Sequence, residues 1–297
     1  MALTKGGDPK RSAEAAAHVD PRPRRYIDRM KDALIVSALS LVPRNRGARV
    51  MGQVARSRAS RWLTRVFVSA YAIDLDEAEG SIEDYPTLEA LFTRRLRPGL
   101  RPVDASPDVL VSPVDGTCAF AGRSQGGAIE VAPGQALHLG ALLDRPLQGE
   151  RDVFVLYLSP RDYHRVHVPR EGRATGWSYV PGTLWPVFPA AVRRVSGLFA
   201  RNERAIVQLQ TDRGQLDVVL VGAFGVGRIS LTVCDLITNS GGQPASGPLP
   251  RIPLERAQEL GTFHLGSTVV VIGEGWTPLV RPGDPVRVGQ ALARGRR

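Results

Sequence analysis

From Pro102 onward the chain is cut by Gly, Pro and Asp into short runs of β-branched and apolar residues, and this texture restricts the fold more than any other feature. Such runs, bounded by turn formers, predict strands. They fall at 153–158, 205–210, 216–221, 227–233 and 268–272. No long helical period separates them, so the βαβ alternation of a parallel sheet is not on offer and antiparallel pairing is expected. The last run, Thr268-Val-Val-Val-Ile272, has the composition of a buried strand.

The N-terminal part has a different character. Residues 1–25 are rich in Ala, Pro, Arg and Lys without a sustained apolar period, which predicts a disordered basic tail. A helical pattern covers 26–42 and stops at Pro43, and a second helix is expected over 53–71. On that second helix Trp62, Leu63, Val66, Phe67 and Ala70 share a face, while Arg56, Arg58, Arg61 and Arg65 lie opposite or on its flanks. A short helix is expected over 88–96, before Pro98. Residues 1–65 hold 15 Lys and Arg against 5 Asp and Glu, leaving 24 of each sign in 66–297, so the whole net charge of +10 sits in this segment. Arginines interleaved with apolar residues suit an anionic lipid surface better than nucleic acid. A helix packed on the main domain has the same amphipathic pattern. The longest apolar run here, 33–42, is ten residues, against about 20 needed to cross a bilayer. Pro43, Arg44 and Arg46 follow it, where a secretory signal would place small residues. The expectation is a peripheral protein on the cytoplasmic side of the cell membrane.

Cys118 and Cys234 are far apart and in no CxxC pair, which argues against a disulfide framework or zinc site. The chemistry centres instead on His264-Leu-Gly-Ser-Thr-Val-Val-Val271. A Gly-Ser turn before a strand is an ordinary feature. The same pair also permits a reaction: the Ser267 hydroxyl can attack the carbonyl of Gly266, where the absent side chain leaves the approach open. The ester so formed can eliminate to dehydroalanine, which tautomerises and hydrolyses to a pyruvoyl group with loss of ammonia. Such a serine needs a base, and the base an orienting carboxylate. Two of the five histidines, His164 and His167, stand together in Leu158-Ser-Pro-Arg-Asp-Tyr-His-Arg-Val-His-Val-Pro169, directly after an expected strand. Their spacing could serve a metal, but no third ligand cluster accompanies it. The candidate carboxylate is Asp115 in Val111-Ser-Pro-Val-Asp-Gly-Thr117, a segment that could equally be a plain Asp-Gly turn.

Taken in order, several segments resemble the phosphatidylserine decarboxylase family: Leu91-Phe-Thr-Arg94 with Arg101-Pro102, Ser112-Pro-Val-Asp-Gly116, Ser159 through Pro169, Leu198-Phe-Ala-Arg-Asn-Glu-Arg204, Val221-Gly-Ala-Phe-Gly-Val-Gly227 and Leu265-Gly-Ser-Thr268. The resemblance runs from about Tyr85 to the C-terminus. With the residue pattern above, it gives the expectation of an α+β chain, with a mainly antiparallel β catalytic domain of barrel-sandwich character over 76–297; the helical membrane-attachment segment over 26–75 matches the family only in its basic, helical character. The resemblance implies that Asp115, His167 and Ser267 act in self-cleavage between Gly266 and Ser267, and that His164 serves decarboxylation or substrate handling. Segment 221–227 would lend backbone N–H groups to an oxyanion. The products would be a β chain, 1–266, and an α chain, 267–297, held together as a heterodimer, with further dimerisation left open. The pyruvoyl group on residue 267 would form a Schiff base with phosphatidylserine and release CO2 and phosphatidylethanolamine, with no metal or external cofactor. His264 and Pro133 depart from the family pattern, and His264 is expected to be an exposed strand-edge residue.

Two other readings compete. A related decarboxylase could act on another phosphoserine lipid. Alternatively, Val280-Arg-Pro-Gly-Asp-Pro-Val-Arg-Val-Gly-Gln290 resembles a biotinyl or lipoyl hairpin, which suggests a non-enzymatic adaptor. A carrier needs a lysine on that turn, and the last lysine of the chain is Lys31.

Overall fold

A computed structural model describes residues 44–225, 228–239, 242–264 and 267–296. The expected tail 1–25, the expected helix 26–42 and Gly266 lie outside the described residues. Every strand pairing among the named strands is antiparallel. The centre is an eight-stranded sheet in the order β11 (Ala245–Leu254), β7 (Gly172–Val180), β8 (Arg204–Thr211), β9 (Gly214–Gly222), β13 (Ser267–Gly273), β5 (Asp152–Leu158), β2 (Gly116–Arg123) and β15 (Pro285–Val286).

Both faces of this sheet are covered, and the side-chain alternation of its strands feeds two cores. On β13, Val269 and Val271 join one core while Val270 and Ile272 join the other. The first face packs against two three-stranded sheets. One is β10 (Ile229–Leu231), β12 (Glu259–Phe263) and β6 (Arg165–His167); the other is β1 (Val109–Val111), β16 (Ala291–Gly295) and β14 (Trp276–Pro278). The second face is closed by the hairpin of β3 (Ala128–Ala132) and β4 (Gln135–His138) with three short helices. Two-sided burial explains why the central strands show uninterrupted apolar runs although the sheet is antiparallel.

The expected single helix over 53–71 is corrected to two. Helix α1 (Arg44–Arg56) ends at Ser57, whose backbone is extended, and a 3-10 turn (Arg58–Ser60) leads into α2 (Arg61–Tyr71). Buried Ser60 holds the break: its hydroxyl donates to Ala55 O and Ser57 O and accepts from Leu88 N at 2.9 Å. That last bond reaches the first residue of α3 (Leu88–Phe92), which is shorter than the 88–96 expected because Thr93 caps it. One side of the helix pair packs inward through Ala48, Ala55 and Thr64. The other leaves Val50, Val54, Trp62 and Val66 at least half exposed. No described helix is long and apolar enough to cross a membrane.

Candidate active site

The site forms where β5 leaves the sheet. After Leu158, the Asp162 carboxylate accepts from Ser159 N at 2.7 Å and Asp162 N donates to Ser159 O, closing a turn that delivers Tyr163 and His164. His164 is wholly buried, its ring against Phe92 of α3 with centroids 3.9 Å apart. Its Nδ1 lies 2.8 Å from Asp162 O, and a carbonyl can only accept, so Nδ1 carries the proton and Nε2 is a bare lone pair. That Nε2 has no hydrogen-bond partner. Burial holds the His164 pKa down to about 3, against a rise from its carbonyl contact and with a further lowering from the nearby Arg94 charge, so the ring is neutral.

His167, at the end of β6, is engaged at both nitrogens. Its Nδ1 donates to Ala257 O at 2.7 Å, which leaves Nε2 to accept from the Tyr163 hydroxyl at 3.2 Å. Burial pushes its pKa down, partly offset by the Ala257 contact and by the charges of Glu259 and Asp115. Burial also pushes the Tyr163 hydroxyl up to about 12, which keeps it a donor.

Asp115 closes the turn before β2 and is 7% exposed. Its carboxylate is gripped by Arg101, with Nε at 3.0 Å from each oxygen and Nη2 at 2.6 Å, and it accepts from Val288 N at 2.9 Å. Arg101 also holds Glu77, and the two carboxylates together push its pKa up despite burial. His167 N donates to Pro113 O, so the Asp115 turn and β6 are neighbours. Even so, among the described residues neither the Asp115 carboxylate nor Ser267 bonds the His167 ring.

Ser267 opens β13, opposite Leu158 of β5 on one side and Gly222 of β9 on the other. It is wholly buried, and its hydroxyl has no partner, nor has that of Thr268. His164 O accepts from Phe263 N, which ties the His164 segment to the strand leading toward Ser267. Gly222 lies opposite Ser267, but its N–H donates to Glu203 O at 2.8 Å, and Val226 and Gly227 are outside the described residues.

His264 corrects the expectation of an exposed residue. Its Nδ1 lies 2.9 Å from Glu89 Oε1 and its Nε2 3.1 Å from Ser230 Oγ. Glu89 also pairs with Arg228 at 3.2 Å and lies 3.9 Å from Arg56, joining α1, α3 and the strand before Ser267. Among the described residues no three His, Cys, Asp or Glu side chains gather as metal ligands.

Two cavities flank these groups. A largely apolar one of about 340 Å³ is lined by Val155, Tyr157, Val187, Phe199 and Thr268, among others. A polar one of about 290 Å³ is lined by Arg94, Arg101, Asp115, Asp162 and Tyr163, and Thr117 borders both. A larger groove of about 640 Å³ along β7 and β11 holds none of the candidate residues. Sequence reasoning assigned no role to Arg94, Arg101, Phe92 or Tyr163, although all four stand inside the quoted motifs. Ala257 O carried no signal, because a backbone carbonyl 90 residues away has none.

A sequence model of the phosphatidylserine decarboxylase family matches residues 88–294. Similar proteins include the phosphatidylserine decarboxylase proenzyme of Anaeromyxobacter sp. (strain K), 42% identical over 89% of this chain and 99% of that protein. The proenzyme of Myxococcus xanthus is 39% identical with the same coverage, and that of Halorhodospira halophila 42% identical over 90% of this chain and 95% of its own.

Proposed function

The chain belongs to the phosphatidylserine decarboxylase family, and on that premise we propose that it is a self-processing proenzyme that converts phosphatidylserine to phosphatidylethanolamine and CO2. The observation that carries the processing step is the Ser267 hydroxyl: buried, without a hydrogen-bond partner, and at the head of the central strand directly after a glycine. Ser267 Oγ attacks the carbonyl carbon of residue 266, the peptide C–N bond breaks, and the acyl group passes to oxygen as an ester. Loss of the Ser267 Cα proton expels the residue 266 carboxylate from Cβ. The resulting enamine tautomerises to an imine, which takes up one water and releases ammonia. A pyruvoyl ketone at this position supplies an electron sink for an amine-linked substrate that loses CO2. The orphaned, buried hydroxyl fits such a group, since its conversion leaves no broken hydrogen bond behind.

In this reading His167 takes the Ser267 proton, with Asp115 behind it, and His164 exchanges a proton with the substrate. Burial favours the neutral form of both rings, the form a base requires. One observation favours a second assignment: the unpartnered lone pair is on His164, whereas His167 Nε2 is engaged by Tyr163. Intact mass under denaturing conditions decides both points. Wild-type protein should give two chains, 1–266 and 267–297, the smaller one reactive toward carbonyl reagents. Ser267→Ala should give one uncut chain and no product, and an uncut but active wild type would sink the proposal. His167→Ala should stay uncut and His164→Ala should cut without turning over; the reverse pattern transfers the processing base to His164.

The reading also includes attachment to the cytoplasmic face of the cell membrane. Its support is the exposed apolar row Val50, Val54, Trp62 and Val66 in a segment that carries the chain's excess positive charge.

A further inference from the structure

Arg94 is a buried cation that forms no ion pair among the described residues, although Asp115, Asp162 and Glu77 act on it through space. It follows α3 by two residues, and its side chain leaves the residue 5% exposed. Only Nη2 is satisfied, by Arg161 O at 2.8 Å with Asp162 O at 3.5 Å. Nε and Nη1 are buried without an acceptor, and no carboxylate pairs with the guanidinium among the described residues. The carboxylates nearest to it are committed elsewhere: Glu77 and Asp115 to Arg101, and Asp162 to the Ser159 backbone. Burial accordingly pushes the Arg94 pKa down. An unpaired buried charge is unfavourable unless an anion completes it.

The surroundings indicate which anion. Arg94 lines the polar cavity of about 290 Å³ with Asp115, Asp162 and Tyr163, the last being the residue before His164. Arg94 is also close enough to His164 for its charge to depress that ring. A lipid headgroup whose amine reacts at residue 267 carries its phosphodiester only a few bonds away.

We propose that the Arg94 guanidinium binds the phosphodiester of the substrate headgroup, with a phosphate oxygen accepting from the two nitrogens left without partners. The proposal rests on the decarboxylase reading above. The substrate's own carboxylate is the less suitable anion. Its charge disappears as CO2 leaves, so a fixed cation on it would stabilise the ground state more than the transition state and slow the step. The phosphodiester keeps its charge throughout, so holding it favours substrate and transition state alike and is felt in KM.

The test compares Arg94→Gln and Arg94→Lys with wild type in mixed micelles of detergent and phosphatidylserine, scoring self-cleavage by mass and inhibition by phosphatidylethanolamine. The product retains the phosphodiester and lacks the carboxylate. Arg94→Gln should cleave itself, raise KM by about tenfold or more, and raise the product inhibition constant by the same factor, with Arg94→Lys intermediate. A raised KM with unchanged product inhibition would put the guanidinium on the carboxylate and overturn the proposal. So would an unchanged KM, whatever happens to kcat. If Arg94→Gln remains uncut, Arg94→Lys decides by the same criteria, and failure of both to cut would assign Arg94 to maturation and also overturn it. A wild-type protein that neither cuts itself nor makes product would instead refute the decarboxylase reading.

Discussion

At the scale of single residues, the site is built on desolvated, neutral imidazoles. His164 is the extreme case, with no exposure, a carbonyl fixing its tautomer and Phe92 against its face. Its pKa falls from the ordinary 6.5 to about 3 on folding, so between those values the unfolded chain binds the proton and the folded chain does not. Stability from this residue is therefore present above pH 6.5 and lost as pH falls toward 3. His167 contributes with the same sign. In the uncut Ser267→Ala background, urea unfolding should weaken over this range with a slope of up to about one proton per titrating histidine. Adding His164→Phe, which keeps a buried ring, should flatten the curve; an unchanged pH dependence would remove His164 as its source. Asp115 illustrates a limit of reading residues in isolation. A carboxylate ahead of two histidines suggested a direct orienter, but Arg101 and Val288 N use its lone pairs, and the link to His167 is through backbone at Pro113.

At the scale of elements, the helix pair and strand β13 contrast. The helical period over 53–71 is regular enough to suggest one helix, yet Ser57 turns extended and its hydroxyl caps the 3-10 turn by accepting from Ala59 N. Ser60 anchors that break, bonding Ala55 O and Ser57 O locally and Leu88 N, a partner 28 residues away that only the folded chain supplies. The break gives α1 and α2 separate axes, so each can set small residues inward and larger apolar ones outward. Trp62 is 69% exposed and Val66 57%. Replacing both with Ser should alter unfolding stability by no more than about 0.5 kcal/mol per site, yet sharply reduce binding to vesicles containing phosphatidylserine. Raising the salt concentration should weaken the same binding, since each arginine near an anionic surface contributes on the order of 1 kcal/mol. Unaltered vesicle binding by the double variant, or binding indifferent to salt, would detach this segment from the membrane. Strand β13 was legible because its apolar run is continuous, and its position between β5 and β9 buries all seven residues.

At the scale of the whole molecule, segment 267–296 is interwoven with the rest. It supplies the central strand of the large sheet, pairs β15 with β2, and closes the chain by pairing β16 with β1. Val288 N bonds Asp115, and Arg296 bonds Asp152 beneath Trp276. Burying Val269, Val270, Val271 and Ile272 alone contributes several kcal/mol at roughly 1.5–3 kcal/mol per side chain. A cut before Ser267 removes one covalent bond and none of these contacts. The two chains should therefore elute together in gel filtration without denaturant and separate only at urea concentrations that unfold the protein. Separation in native buffer would show that the sheet does not hold them.

What the sequence determined by itself is whatever depends on neighbours along the chain. The strands follow from their apolar runs, the turns from Gly, Pro and Asp, the excess positive charge from the N-terminal arginines, and the chemistry proposed for Gly266–Ser267 from adjacency. What only the tertiary structure decided is how polar atoms distant in sequence pair. It places His167 on Ala257 O and the Tyr163 hydroxyl, commits Asp115 to Arg101, and leaves Arg94, His164 Nε2 and Ser267 Oγ buried with bonding capacity unused. Apolar burial follows local pattern because it is non-directional. Hydrogen bonds are directional and short, so their partners are settled only when the chain has closed around them.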